Sequence, residues 1–312
     1  MAFITFANMS NFTKIISPSA LKSGDTIALI SPAKAIEAEL VENAKRFFES
    51  RGYHVLVGEN AKGQYNYFSG TESERLNDLQ WAIDHPDVKA IICNRGGYGA
   101  IHLMQKANFA NLLREPRWIA GFSDITNFHC LAYQLGIQSI HSTMPLNFEK
   151  NTPEALETLL SAIGSSSTTF SWEGTEFNAE GTCQQVVVGG NLAILYSLLG
   201  TKYFPNMENV ILFIEDIGEQ AYQLDRMLYA FQLAGVWDKI GGLIIGGMTD
   251  ISETAVPTKL NYKETIKELL KYRKIPVAFD APIGHQDDNR AVIVGKTGAL
   301  IVEKEKVSFS QL

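Results

Sequence analysis

The sequence predicts an α/β protein of two domains: a parallel-sheet N-terminal domain with helices on both faces and a smaller mixed α/β C-terminal domain. Three observations point there. Short β-branched runs alternate with amphipathic stretches through the first half, the βαβα pattern of a parallel sheet covered by helices. The alternation stops at 164–182, GSSSTTFSWEGTEFNAEGT, where Ser, Thr and Gly dominate, and then resumes. The chain's 312 residues, 46% of them hydrophobic, exceed what one core usually holds, since single domains cluster near ~100–200 residues. The expected division is 1–165, a linker over 166–182, and 183–312.

The first half reads in order as a strand at TIALIS (26–31), a helix over 36–51, a strand at HVLVG (54–58) and a helix over 72–84. Strands at VKAIIC (88–93) and WIAGF (118–122), a helix over 124–135 and a strand at SIHS (139–142) follow. Thr71-Glu72-Ser73-Glu74 is a capping-box pattern, and Gly52 and Gly136 stand where helix C-termini need a left-handed residue. The second half continues with VVVGG (186–190), a helix over 191–199, VILFIED (210–216) and a helix over 219–235. GGLIIGG (241–247), a helix over 262–272 and the runs AVIVG and ALIVE complete it.

Composition narrows the function. The net charge of -7 comes from interspersed acidic and basic residues with no basic block, which argues against nucleic acid as a partner and for a small-molecule or peptide ligand. Cys93, Cys130 and Cys183 are odd in number and far apart, so neither a disulfide framework nor paired metal ligands is expected, and the chain reads as reduced and cytoplasmic. No run approaches the ~20 apolar residues of a membrane span. The opening MAFITFANMSNFTK lacks the positive start of a signal peptide, and residues 1–14 are set outside the fold.

The chemistry begins at IAGFSDIT (119–126), an apolar run that meets Gly121-Phe122-Ser123-Asp124 and then starts a helix. In parallel α/β sheets, ligand-binding groups gather at the carboxyl ends of strands, where Ser123 lies. A serine there is most often a helix cap, and the G-x-S-x-G elbow is half met because Ile125 replaces its second glycine. CNRGGYGA (93–100) follows another strand, and Gly96, Gly97 and Gly99 let backbone N–H groups approach a ligand, as an oxyanion hole or a phosphate cradle requires. A tight turn that needs positive φ is the plainer reading of the same glycines. The loop's spacing is not G-x-G-x-x-G, so it is no dinucleotide fingerprint.

A serine nucleophile needs a base and a group that fixes the base. Of the six histidines, His141 near the end of SIHS is a fair candidate, and His285 in the polar loop PIGHQDDNR (282–290) is the better placed. A metal site of His285 with Asp287 and Asp288 lacks a second histidine or cysteine at ligand spacing. VILFIEDIGE ends its strand in Glu215-Asp216, which face opposite sides, and Glu215 is favoured as the orienting acid.

Together ICNRGGYGA, GFSDIT, GGNLAIL, ILFIEDIGE with AYQLDRML, and PIGHQDDN resemble the LD-carboxypeptidases and their relatives the microcin C immunity peptidases, from about Lys22 to about Val302. The resemblance implies a Ser-Glu-His triad of Ser123, Glu215 and His285, with the N–H groups of Gly97 and Asp124 as oxyanion hole. It implies a nucleophile on the first domain, acid and base on the second, a homodimer, and neither metal nor cofactor. The implied substrate is murein tetrapeptide, cut between an L-configured centre and its terminal D-residue during cell-wall recycling. Arg95 and Arg226 are candidates for the substrate carboxylate, with Tyr98 and Asn191 as further binding candidates. Hydrolysis of aminoacyl-nucleotide conjugates is the second reading, disfavoured because no extra nucleotide-recognising segment is evident. A two-lobed binding module with a phosphate on RGGYG is the third.

Overall fold

The computed structural model describes residues 15–312, so the reading of 1–14 as lying outside the fold concerns residues beyond the described ones. Its first sheet contains β1 (Thr26–Ile30), β2 (His54–Val57), β3 (Val88–Cys93), β4 (Trp118–Gly121) and β5 (Ser139–His141). The second is formed by β6 (Thr168–Glu173), β7 (Gly181–Asn191), β8 (Val210–Ile217), β9 (Gly242–Thr249) and β10 (Val277–Ala278). The late strand β11 (Val292–Val294) returns to the first sheet, and β12 (Thr297–Val302) and β13 (Lys306–Gln311) complete the second.

The first sheet has the order β11-β5-β4-β3-β1-β2 and is parallel except for β11. Helices cover both faces, as expected. Alternation along the strands assigns the faces: Ile27, Leu29, Ala90, Ile92, Trp118 and Ala120 pack with the helices Ala38–Glu49 and Pro153–Ser165. Ala28, Ile30, Ile91 and Ile119 face the helices Glu72–Asp84 and Thr126–Gln134. The second sheet, β10-β9-β8-β7-β12-β13-β6, is parallel from β7 to β10 and antiparallel beyond. One apolar cluster runs through both halves, joining Ile91 and Phe128 to Leu212, Leu228 and Ile245, so the two sheets share a core.

The expected linker carries β6, an edge strand whose Thr168 and Phe170 are buried while Thr169 and Ser171 face solvent. Extended structure within this crossing is expected, since Thr, Phe and Trp suit a pleated, half-buried surface. The strand β11, inside the expected C-terminal domain, pairs with β5 of the first sheet. The helix Pro153–Ser165, capped by Thr152 with proline at its first position, is an element the sequence reading did not include. Among the described residues no helix is long and apolar enough to cross a membrane.

Gln311, at the end of the chain and wholly buried, fastens β13 to β11. Its Oε1 accepts from the Ile293 N–H at 2.8 Å, and its Nε2 donates to the Ile293 carbonyl at 2.8 Å. Replacing it strands a buried amide on the outer edge of the first sheet, a loss of about 2 kcal/mol. Gln311→Leu is expected to lower unfolding stability by that amount in urea denaturation, whereas an unchanged midpoint would show that the clamp contributes nothing.

Candidate active site

At the carboxyl end of β4 the chain turns sharply into a 3-10 turn, Ser123–Ile125, and then the helix Thr126–Gln134. Ser123 adopts φ 61, a left-handed conformation that costs a non-glycine residue on the order of 1–3 kcal/mol. Its side chain caps no helix. The strain holds the hydroxyl at the rim of the sheet, half-exposed. Behind it the turn is anchored by His129, whose Nε2 donates to the Gly121 carbonyl at 2.8 Å while Nδ1 accepts from the Ser139 hydroxyl at 2.9 Å. Burial drives the pKa of His129 down to about 3, so this histidine is a neutral brace and not a base.

The RGGYG loop lies directly against that turn. A side-chain carbon on Gly96 would stand 3.0 Å from Ser123 Cβ, 3.2 Å from its Oγ and 3.3 Å from the Asp124 amide nitrogen. Gly97 has φ 101 and is exposed, with the Lys34 stem and the Tyr67 hydroxyl against it. Two buried side chains tie the loop down. The Asp124 carboxylate accepts from the Ala100 amide at 2.8 Å, and the Arg75 guanidinium donates to the carbonyls of Pro32 and Gly99 at 2.7 and 3.1 Å. The Asp124 amide, at the start of a helical segment, is among those a helix leaves without an intrahelical acceptor. The amides of Gly97 and Asp124 are therefore carried on loop and turn segments braced against each other beside Ser123.

Strand alternation on β8 separates the two acids. Glu215 shares the face of Ile211 and Phe213, and Asp216 the face of Leu212 and Ile214. Asp216 accepts from Asn191 Nδ2 at 2.8 Å and from the Ala193 amide at 2.9 Å, at the start of the helix Leu192–Leu198. Glu215, with no solvent exposure, receives His285 Nδ1 on its Oε2 at 2.6 Å. Gly284, at φ 98, makes that approach possible, since any side-chain carbon there would fall 2.6 Å from the Glu215 side chain. The loop is held: the Gly284 amide donates to Asn289 Oδ1 at 2.7 Å, and Thr152 Oγ1 donates to Asp288 at 3.1 Å. Asp288 pairs with Arg290, and the His285 Nδ1 is engaged by Glu215.

The His285 ring rests on Phe122, centroids 4.7 Å apart, which sets the imidazole beside the residue that precedes Ser123. No hydrogen bond joins Ser123 Oγ to His285 among the described residues. Hydrogen bonds of this kind are often open in sites without ligand and tighten when substrate enters.

The expected binding residues fare unevenly. Asn191 is a structural cap: its Oδ1 accepts from the Ile194 amide at 3.1 Å and its Nδ2 is committed to Asp216, because a strand-to-helix junction needs both groups. Arg95 donates to the Ala35 carbonyl at 2.9 Å, and Tyr98 is exposed and hydrogen-bonded to His102 at 3.2 Å. Arg226 is exposed on the helix Ala221–Leu233, over the Tyr222 ring. The structure adds Lys34, Arg75, Phe122 and Gly284, whose partners lie far away in sequence.

Electrostatics favour an ion pair at the core of the site. Burial alone would raise the Glu215 pKa, but the facing His285, together with His141, outweighs it and holds the carboxyl below its usual range. Burial alone would lower the His285 pKa, and the charge and hydrogen bond of Glu215 raise it instead. Asp216 is pushed up to about 7, by burial first and then by the neighbouring Glu215 charge.

Comparison with known proteins shows the family of the chain. Residues 27–142 match the LD-carboxypeptidase N-terminal domain and residues 184–300 the LD-carboxypeptidase C-terminal domain. The chain is 31% identical to the murein tetrapeptide carboxypeptidase of Pseudomonas aeruginosa over 88% of its own length and 92% of that protein. It is 23% identical to the microcin C7 self-immunity protein of Escherichia coli, over 93% and 94% of the two chains. The crystal structure of muramoyltetrapeptide carboxypeptidase from Oxalobacter formigenes superposes with a TM-score of 0.84 at 27% identity, covering 92% of this chain and 98% of that one.

An imidazole can accept a proton only when neutral, and Glu215 extends the charged form of His285 above the ordinary value of about 6.5. The stabilisation from this pair is full below the unfolded-state pKa and fades as pH rises through the higher folded-state one. Proton abstraction runs the opposite way and switches on as pH rises through that same value. The pH profile of reaction with a serine-directed phosphonate is expected to rise with a midpoint above about 6.5, and a midpoint below that would contradict the pairing.

Proposed function

The chain belongs to the LD-carboxypeptidase family, serine-type peptidases, and on that premise we propose that it removes the terminal D-alanine of murein tetrapeptide through a triad of Ser123, Glu215 and His285. The observation that carries the reading is the 2.6 Å hydrogen bond from His285 to a fully buried Glu215, beside a serine strained to φ 61. In this mechanism Ser123 Oγ attacks the carbonyl of the L-configured residue while His285 Nε2 takes its proton. Glu215 keeps the other ring nitrogen protonated and balances the imidazolium. The N–H groups of Gly97 and Asp124 donate to the oxyanion. His285 returns the proton to the departing amine of D-alanine, and water, activated by the same histidine, then releases the acyl group.

An exopeptidase also has to hold the free carboxylate of the leaving residue. Arg95, with one N–H on the Ala35 carbonyl, and Lys34, whose stem lies against Gly97, are the cations we assign to that end. A cytoplasmic setting and a homodimer go with this reading, the latter testable by sedimentation. The aminoacyl-nucleotide reading remains the second one.

Release of D-alanine from purified tetrapeptide is expected from the wild type and reduced by at least about 10³-fold in Ser123→Ala, with no effect of a chelator. Equal release by both proteins, or loss of release on chelation, would overturn the triad. Turnover of an aminoacyl nucleotide in place of the tetrapeptide would move the substrate assignment and leave the triad standing.

A further inference from the structure

His141 ends β5 directly behind the site, paired across the sheet with Gly121 on one side and Val292 on the other. It has no solvent exposure, and neither of its ring nitrogens has a hydrogen-bond partner. Its Nε2 faces Glu215 Oε1 at 3.6 Å, the one carboxylate oxygen that His285 leaves free, and that oxygen is also buried and unpartnered. The ring is otherwise walled by Phe213, Phe122 and His129, at centroid distances of 5.0, 5.9 and 6.2 Å.

Two buried orphans that face each other have a simple resolution. At 3.6 Å the contact is longer than a hydrogen bond, and closing it needs a shift of well under an ångström. We propose that His141 is a positioning residue for the reaction: it donates Nε2–H to Glu215 Oε1, so that the carboxylate is gripped by two imidazoles, His141 from β5 and His285 from the loop before β11. The inference rests on the triad reading. When His285 takes the Ser123 proton, Glu215 becomes the counter-charge to a buried imidazolium, and a carboxylate fixed at both oxygens cannot rotate away from Nδ1. His129 is spoken for by Gly121 and Ser139 and cannot take this place.

The titratable groups around the pair are few. His129 faces it from the helix Thr126–Gln134 and His285 from its own loop, while Asp216 adjoins Glu215 in sequence on the opposite face of β8. Without the His141 donor Glu215 becomes a stronger base, and the imidazolium of His285 persists to higher pH. A change confined to packing would lower thermal stability without moving that titration. Asp216 keeps its own partners in either case, so its ionisation is common to all variants.

The test follows phosphonate labelling against pH for the wild type, Ser123→Ala, His141→Leu and His141→Gln, with thermal midpoints alongside. We expect His141→Leu to label more slowly by about tenfold with its pH midpoint displaced upward, and His141→Gln, which retains an N–H donor, to recover most of the rate. A folded His141→Leu with wild-type rate and midpoint would overturn the proposal while leaving the triad intact. ¹⁵N-histidine NMR of the wild type serves if the leucine variant does not fold: a proton on Nε2 of His141 is expected, and a proton on Nδ1 overturns the proposal. Failure of the wild type to label at all would remove the triad reading, and the NMR tautomer would still decide the bond.

Discussion

A carboxylate with no access to water has to be paid for by partners, and the arrangement around Glu215 follows from that requirement. One oxygen is met by His285 at 2.6 Å. The hydrogen bond fixes the imidazole's orientation and tautomer, and the charge it shares raises the histidine's basicity. Glycine at 284 is needed because nothing larger fits between loop and carboxylate. Asn289, Thr152 and Arg290 then hold the loop in the shape that glycine permits.

The same carboxylate links the halves of the molecule. Glu215 comes from the second sheet and the strained Ser123 turn from the first, so the site exists only while the sheets keep their relation. A shared apolar cluster, β11 returning to β5, and the Gln311 clamp maintain it. Phe122 makes the connection local, since its ring supports His285 and its backbone leads into Ser123. The remaining gap between Ser123 and His285 is the kind that substrate-driven closure removes in many hydrolytic sites.

Much of this was legible in the chain itself, for definite reasons. Period-two alternation separates Glu215 from Asp216, and the structure gives them the opposite faces that rule requires. The capping box at Thr71 forms, and Gly52 and Gly136 take positive φ where helices end. What eluded sequence reasoning depends on partners distant in the chain. Asn191 looks like a binding residue until Asp216, in the next strand, is seen to engage it. Arg75, within a helix, gives no sign that it will reach the carbonyls of Pro32 and Gly99. In the Ser/Thr-rich stretch the bounds of β6 are faint because Phe170 and Trp172 are the large apolar residues on an inward face that begins with a threonine.

The most direct measurement is a crystal structure of the protein after reaction with a serine-directed phosphonate. Phosphorus is expected bonded to Ser123 Oγ, its oxygen about 2.7–3.1 Å from the amides of Gly97 and Asp124, and His285 Nε2 turned toward the adduct. An adduct on another residue, or one on Ser123 whose oxygen points away from both amides, would contradict that expectation.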